Sequence, residues 1–332
     1  MSQEKENTML VLDRAEVEGL YTMADAFAAV ERAAVAWTSG HADVPARTAL
    51  HAEESGLETL VMPGAMGGRY TGAKIWYAGP QGPNLPTSSA VIVLIDPSLG
   101  EVLMDGSVIT DLRTGAMTGV AARVLAPRRA SVAAIVGAGI QARAQALALI
   151  HALPGLREIR ITSRRPEARA AFVEHLRAEL GTRAPELTIL PAEDAESACR
   201  GSDVIVAATT SRTPVVLDDW VGPETLVCGV GSHDPDAAEL DPAIVRRATV
   251  VAVDTKRGGI DGAGDLGQVI AAGDLDRDQV LELGDLVMAP PAVPSGVRVL
   301  KTVGFAAADL VSAHAVAAAA VKTGVGSRLR LH

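Results

Sequence analysis

Cysteine is scarce: the 332 residues hold two, Cys199 and Cys228, far apart and in no C-x-x-C spacing. That excludes a disulfide scaffold and a cysteine zinc site, and it fits a reducing compartment. Positive charge is short as well. With 30 Lys and Arg against 40 Asp and Glu, the net charge is −10, so the chain lacks the dense cationic face that a phosphate-backbone binder needs, and nucleic acid is not an expected partner. No apolar run reaches the roughly 18 residues of a membrane span. The opening MSQEKENTML has neither the basic flank nor the apolar core of a secretory leader. Six of the seven histidines, at 41, 51, 151, 175, 314 and 332, show no metal-ligand spacing. The expectation is a soluble, cytoplasmic protein without a metal.

What is present is ample apolar material, 48% of the chain, at a length that suggests about two domains. Residues 21–39 place Met23, Phe27, Val30 and Val35 near helical spacing, with Thr22 or Asp25 as possible caps. From Ala46 to about Asp105 the segments RTALHA, TLVMPGA, GAKIWYA, SAVIVLID and EVLMDG are short, rich in Val, Ile and Leu, and broken by Gly and Pro. They read as antiparallel strands, with a hairpin loop at DPSLGE. A helix is expected over Thr110–Leu125. From Ser131 the pattern changes to apolar runs alternating with amphipathic helices: SVAAIVGA, EIRITS, LTILPA, DVIVAAT, TLVCGVGS, TVVAVDT. That alternation implies a parallel sheet covered on both faces. The alanine-rich Ala306–Thr323 reads as a last helix of uncertain home.

The strongest local signal is SVAAIVGAGIQARAQALAL, an apolar run leading straight into Gly137-Ala138-Gly139-Ile140-Gln141-Ala142 and then a helix. In this pattern the first glycine makes the tight turn, the second lets backbone approach a pyrophosphate, and the small third residue permits close helix–strand packing. The helix start then points free N–H groups at the phosphates. At the end of the second strand NAD sites usually carry an acid for the ribose hydroxyls. Here stand Ser163, Arg164 and Arg165, with no acid until Glu167. Two guanidiniums and a hydroxyl suit a 2′-phosphate, so NADP(H) is the expected cofactor, with NAD(H) possible. The alternative is that the arginines form only a solvated helix start.

Two further constellations stand out. Arg47 follows a proline-bounded turn, Lys74 lies inside GAKIWYA, and Arg113 lies in TDLRTGAM. Arginine suits a carboxylate clamp, and a lysine amid Ile75, Trp76 and Tyr77 is either an edge-strand charge or a site residue. In GSHDPDAAELD, after TLVCGV, His233 and Asp234 would lie at a carboxyl strand end, where a titratable group can move protons. The alternative is a capping Asp234 or Ser232 beside an exposed His233.

Taken together, VPAR at 44–47, VMPG…GAKIW at 61–76, DPSLGEVLMDGSVITDLRTGAMT at 96–118, GAGIQAR at 137–143, SDVIVAATTSRTPVV at 202–216, GSHDPDAAELD at 231–241 and KTVGFAAADL at 301–310 resemble the ornithine cyclodeaminase/mu-crystallin family. The resemblance implies an α/β fold: a Rossmann dinucleotide-binding domain over 128–299, and a substrate-binding and dimerisation domain from 1–127 with 300–332, whose mostly antiparallel sheet pairs in a homodimer. It implies hydride transfer between a nicotinamide cofactor and α-amino or α-imino acids. Carried across, Arg47 and Arg113 would grip the substrate carboxylate, Lys74 would sit beside the reacting nitrogen and the carboxylate, and the proton would come from Lys74, His233 or a bound water. Thr114 and the Gly137–Ala142 turn would hold the pyrophosphate, with Thr209 and Val303 also on the cofactor, while Val303 and Gly304 would close over the substrate. The cyclodeaminase pattern has an aspartate where this chain has His233 and a glutamate where it has Leu60, so ornithine cyclodeamination is disfavoured. Ser163-Arg164-Arg165 is similar to the corresponding turn of the NADPH-dependent ketimine reductases. The expected activity is NADPH-dependent reduction of small, cyclic α-imino acids such as pyrroline- or piperideine-2-carboxylate. The alternatives are an alanine-type or N-alkyl amino-acid dehydrogenase, an ornithine or lysine cyclodeaminase, and a non-catalytic NADPH-retaining protein of crystallin type.

Overall fold

Capping chemistry starts the chain's first two helices. Asp13 and Thr22 each form a capping box, with Glu16 and Asp25, satisfying N–H groups that a helix start leaves open. They open α1 (Arg14–Leu20) and α2 (Met23–Thr38), behind a strand β1 (Thr8–Leu12) that the sequence reading did not anticipate. The computed structural model describes residues 8–82, 85–292 and 295–330; most of the opening MSQEKENTML, and His332, lie outside them. The chain divides into two compact units. The first is built from the chain up to Arg113 and from Phe305 onward, and the second from Thr114–Gly304.

In the first unit follow β2 (Ala42–Asp43), β3 (Thr48–Ala52), β4 (Leu57–Met66), β5 (Tyr70–Ala78), β6 (Ser88–Asp96) and β7 (Gly100–Asp105). The β6–β7 turn is DPSLGE, as its composition suggests. Asp96 Oδ1 accepts the Ser98 and Leu99 N–H groups at 2.6 and 3.1 Å, and Gly100 takes φ +88°, a region open to glycine. The next helix, α3 (Ser107–Leu125), starts three residues before the expected Thr110, because Asp105 Oδ1 accepts the Ser107 and Val108 N–H groups at 3.0 and 3.1 Å. The unit boundary falls inside this helix.

The strands form one sheet in the order β16-β1-β7-β6-β5-β4-β2, with β3 also on β4 and β16 being Ser327–Arg330. It is antiparallel except for the β1–β7 pair. One face buries Leu10, Leu12, Met62, Ile92, Leu94, Val102 and Met104. Against it packs the alanine-rich α11 (Ala306–Thr323), which also lies on α2. Small side chains permit that approach: a Cβ on Gly72 would stand 2.2 Å from the Val93 carbonyl oxygen and 3.0 Å from Leu310. The home of the last helix is therefore the first unit. The other sheet face is also apolar, with Ile75, Val91 and Ile95 at 39%, 42% and 50% exposure.

The second unit runs β8 (Val132–Val136), α4 (Ile140–Ala152), β9 (Glu158–Thr162), α5 (Pro166–Leu180), β10 (Thr188–Pro191), α6 (Ala195–Cys199), β11 (Val204–Ala207), β12 (Leu226–Gly229), α7 (Pro242–Arg246), β13 (Ala248–Val253), α8 (Lys256–Gly259), α9 (Gly264–Ala271), β14 (Leu281–Glu282), α10 (Leu283–Met288) and β15 (Val297–Lys301). Its sheet is parallel throughout, in the order β10-β9-β8-β11-β12-β15-β13-β14. The first five strands repeat the 3-2-1-4-5 part of the Rossmann order, whose switch point lies between β8 and β11, and β15 then stands between β12 and β13. The inserted strand β15, VRVLK, is buried at all five residues and was not singled out in the sequence. Both cysteines are free and buried here. Among the described residues no helix is long and apolar enough to cross a membrane, and no group of three or more His, Cys, Asp or Glu could hold a metal ion.

Candidate functional site

In the first unit the site begins with the register of the sheet. Lys74 is paired across β5 with Met62 on one side and Ile92 on the other, and Ile92 in turn with Met104. Lys74 thus stands in a row of buried apolar side chains, itself 1% exposed. Because β5 lies between β4 and β6, the edge-strand reading of this lysine fails. A buried ammonium needs a partner, and α11 supplies it: Lys74 Nζ donates to Asp309 Oδ1 at 2.8 Å. Arg113 Nε, from α3, donates to the same oxygen at 2.9 Å. Asp309 is fully buried, and its Oδ2 accepts no hydrogen bond.

The electrostatics of this cluster follow from that geometry. Burial, reinforced by the charges of Arg113 and Arg47 and opposed by Asp309, brings the Lys74 ammonium down to about 8. Burial alone would raise the Asp309 carboxyl; the charges of Arg113 and Lys74 and their hydrogen bonds outweigh it and hold the group below the usual carboxylate range. Arg47, on the turn before β3, is close enough for its charge to be felt at Lys74. The three cations expected from the sequence are thus brought together in one unit. Asp309 is the member that sequence reasoning missed. It was visible as a charge inside an otherwise alanine-rich helix, but only tertiary packing shows that it faces Lys74. A separate cavity of about 500 Å³ in the same unit is lined by Arg32, His41, Arg69, Tyr70 and His314 among others and includes none of the three cations.

In the second unit, β8 runs into Gly137, which adopts φ +129°; a Cβ there would stand 2.3 Å from the Ala208 carbonyl oxygen. Gly139 is the N-cap of α4 and makes no side-chain cap, so the first N–H groups of Ile140, Gln141 and Ala142 receive nothing from it. A Cβ on Gly139 would meet nothing within 4 Å. A turn with glycine at 137 and 139, ahead of a helix of 13 residues without a side-chain cap, fits a pyrophosphate. Ala142 is fully buried, the small residue that helix–strand contact requires. Thr114 lies beside this helix: its carbonyl accepts Gln145 Nε2 at 3.4 Å, and the neighbouring Gly115 leaves room for the Ala144 backbone.

At the end of β9, Ser163 Oγ donates to the Arg165 carbonyl at 3.1 Å and Arg165 caps α5, with Pro166 in its first turn. Arg164 and Arg165 are exposed, and among the described residues neither guanidinium has an ion-pair partner. After β11, Thr209 donates through N and Oγ1 to Glu239 Oε1 at 2.8 and 2.7 Å. After β15, the Val303 and Gly304 N–H groups donate to Asp254 Oδ2 at 2.8 and 2.5 Å, which fixes the turn at the end of this unit. His233 is exposed. Asp234 Oδ1 accepts the Asp236 N–H at 2.8 Å, and its Oδ2 pairs with Arg212 at 2.5 Å. Those bonds hold its carboxyl below the usual range. An ionised, arginine-paired carboxylate is a poor proton donor near neutrality.

Comparison with known proteins agrees with this layout. A model of the ornithine cyclodeaminase/mu-crystallin family matches residues 6–324. The alanine dehydrogenase of Archaeoglobus fulgidus is 31% identical over 329 residues, covering 97% of this chain and 98% of that one. The Thermococcus litoralis Delta(1)-pyrroline-2-carboxylate reductase, solved with NADH and L-proline, matches with a TM-score of 0.88 at 32% identity, covering 96% of this chain and 99% of its own. An archaeal alanine dehydrogenase dimer with bound NAD matches with a TM-score of 0.87 at 29% identity, covering 98% of this chain and 100% of its own. With a Rossmann unit, a sheet bearing a buried lysine and a family match over nearly its whole length, the chain belongs to the ornithine cyclodeaminase/mu-crystallin family.

Proposed function

We propose that the protein is an NAD(P)H-dependent oxidoreductase that reduces the C=N bond of small α-imino acids. Cyclic ones such as pyrroline-2-carboxylate or piperideine-2-carboxylate are the preferred substrates, and NADPH is the preferred cofactor. The observation that carries this reading is the fully buried Lys74, set beside Arg113 on one Asp309 oxygen and within the field of Arg47. The charges acting on Lys74 are two positive and one negative, a local potential that favours an added carboxylate. The arginines suit its two oxygens geometrically. Relatives that are named as a pyrroline-2-carboxylate reductase and an alanine dehydrogenase act on acids of this kind.

When bound, the reduced nicotinamide supplies a hydride to the imine carbon, and the chain supplies placement, charge and a proton. Arg47 and Arg113 hold the carboxylate, so that the planar C=N group is presented in one orientation. Lys74, protonated below about 8, hydrogen-bonds the imine nitrogen and gives it the proton that completes the amine. Asp309 keeps the Lys74 and Arg113 side chains pointing to one place. In the second unit the Gly137–Ala142 turn would hold the pyrophosphate, with Thr114, Thr209 and Val303 beside it. Ser163, Arg164 and Arg165 would take the 2′-phosphate of NADPH, although the relatives solved with cofactor contain NADH or NAD. Val303 and Gly304 would close over the substrate. The exposed apolar sheet face at Ile75, Val91 and Ile95 supports a homodimer paired through the first unit.

The test is to supply NADPH or NADH with pyrroline-2-carboxylate and follow the reduced-nicotinamide absorbance. Oxidation of cofactor that depends on the imino acid and is lost in Lys74→Met supports the reading. Oxidation only with pyruvate plus ammonia would assign an alanine-type dehydrogenase instead, and no oxidation with any of these substrates would overturn the reading.

A further inference from the structure

Under the carboxyl ends of β11 and β12 lies a group of buried charges that the proposed chemistry does not use. Glu239 is fully buried, and its two oxygens accept four hydrogen bonds. Oε1 takes Thr209 N and Oγ1 at 2.8 and 2.7 Å; Oε2 takes Gly231 N and Ser232 N at 2.6 and 2.9 Å. Four donors meet the acceptor capacity of a carboxylate in full. Glu239 is itself anchored from below: its N–H and that of Leu240 donate to Asp265 Oδ1 at 2.7 and 2.9 Å. Asp265 Oδ2 pairs with Lys301 Nζ at 2.8 Å, both side chains being fully buried. One carboxylate thus ties the loop after β11 to the loop after β12, and it rests on an ion pair between α9 and the last residue of β15.

We propose that Glu239 is a positioning residue for the dinucleotide, acting through Thr209, Gly231 and Ser232 on the loops at the carboxyl ends of β11 and β12. This rests on the reading of the second unit as a nicotinamide-dinucleotide site. In such sheets ligands lie outside the carboxyl ends of the strands at the switch point; Thr209 follows β11 at that point, and Gly231 and Ser232 follow the adjacent β12. The loops are in backbone contact with one another and with the phosphate turn. A Cβ on Gly231 would stand 2.0 Å from the Thr209 carbonyl oxygen and 2.7 Å from Glu239 Oε1, and one on Gly137 would stand 2.3 Å from the Ala208 carbonyl oxygen. A shift of the Thr209 loop therefore has no slack to absorb it before it reaches the Gly137 turn. Replacing one Glu239 oxygen by an amide nitrogen turns its acceptor sites into donors: on the β12 side they face the Gly231 and Ser232 N–H groups, and on the β11 side they face the Thr209 N–H and a hydroxyl that can turn to accept, so at least one hydrogen bond to a loop is lost.

The test compares Glu239→Gln, Thr209→Val and Thr209→Ser, each first shown to fold by circular dichroism. The Kd of NADPH and of NADH is read from nicotinamide fluorescence, and KM is measured for cofactor and for imino acid. Glu239→Gln is expected to raise the Kd of the cofactor that the parent binds roughly tenfold, from at least one lost hydrogen bond and the lost charge on the others, and to raise cofactor KM more than imino-acid KM. Thr209→Val is expected to weaken binding about threefold, from one lost bond to the carboxylate, and Thr209→Ser to bind more tightly than Thr209→Val. A folded Glu239→Gln with parental cofactor Kd overturns the inference. If that variant does not fold, an unchanged Kd in Thr209→Val overturns it. A parent that binds neither NADPH nor NADH overturns the underlying reading and this inference with it, whereas a parent that binds beside indifferent variants overturns the inference alone.

Discussion

Asp309→Asn tests the buried cluster without assuming any substrate. The substitution keeps the shape of the side chain but leaves Lys74 and Arg113, 1% and 4% exposed, without the carboxylate oxygen they share at 2.8 and 2.9 Å. Removing one partner of a buried pair costs about 3–5 kcal/mol, and two cations lose theirs here. Lys74 can limit its share by releasing its proton. In the parent its folded-state value, about 8, lies below its ordinary 10.5. A lysine lowered in this way penalises folding at low pH, and the penalty is relieved as pH rises from about 8 towards 10.5. Without Asp309 the folded value drops further, so at about pH 7 the variant holds Lys74 neutral where the parent holds it charged. The extra cost at that pH is then bounded by one pH interval, from 7 to 8, or about 1.4 kcal/mol. Above about pH 9.5 Lys74 is neutral in both folded proteins and this part vanishes, leaving the Arg113 part. Urea unfolding of parent and variant at about pH 7 and about pH 9.5 should therefore give a stability deficit that is smaller at the higher pH, by up to about 1.4 kcal/mol. A deficit equal at both pH values, or larger at the higher one, would refute the assigned coupling between Lys74 and Asp309.

Three further outcomes are expected. The kcat/KM for an imino acid should fall as pH rises through about 8, because Lys74 then loses the proton it donates; a profile flat to about pH 9.5 would move proton donation elsewhere. Arg164→Glu should weaken NADPH at least about tenfold, since a carboxylate repels the 2′-phosphate that a guanidinium would hold, and should leave NADH within about threefold; equal losses for both cofactors would remove Arg164 from the discrimination. Val91→Asp with Ile95→Asp should convert a dimeric parent to monomer in analytical ultracentrifugation, because the pair places two charges on an exposed apolar sheet face; a dimer that persists would place the interface elsewhere.

The sequence by itself determined the local structure where a short-range physical rule acts. The strand, glycine turn and helix at Val132–Ala152 were legible because the turn at Gly137 requires φ +129°, which only glycine meets without strain. The capping boxes at Asp13 and Thr22 are likewise written within four residues. The alternation of apolar runs with helices pointed to the parallel sheet, and short Val-, Ile- and Leu-rich segments broken by Gly and Pro pointed to the antiparallel one. What escaped is long-range. Strand β15 joins the middle of its sheet, between β12 and β13, and β1 gains its partners from β7 and β16. No local pattern states either pairing.

The candidate site divides in the same way. Lys74 stood out as a charge among aromatic and branched neighbours, but the choice between an edge charge and a buried one was made by the strands on either side of it. Asp309 shows in sequence only as a charge inside an alanine-rich helix, and Glu239 is one more acid in a loop segment. Each becomes consequential because folding removes it from water and surrounds it with donors from residues 235 and 196 positions away for Asp309, and 30 positions away at Thr209 for Glu239. The energy of a charge depends on what lies within a few ångströms of it, and for these residues only the tertiary structure decides that.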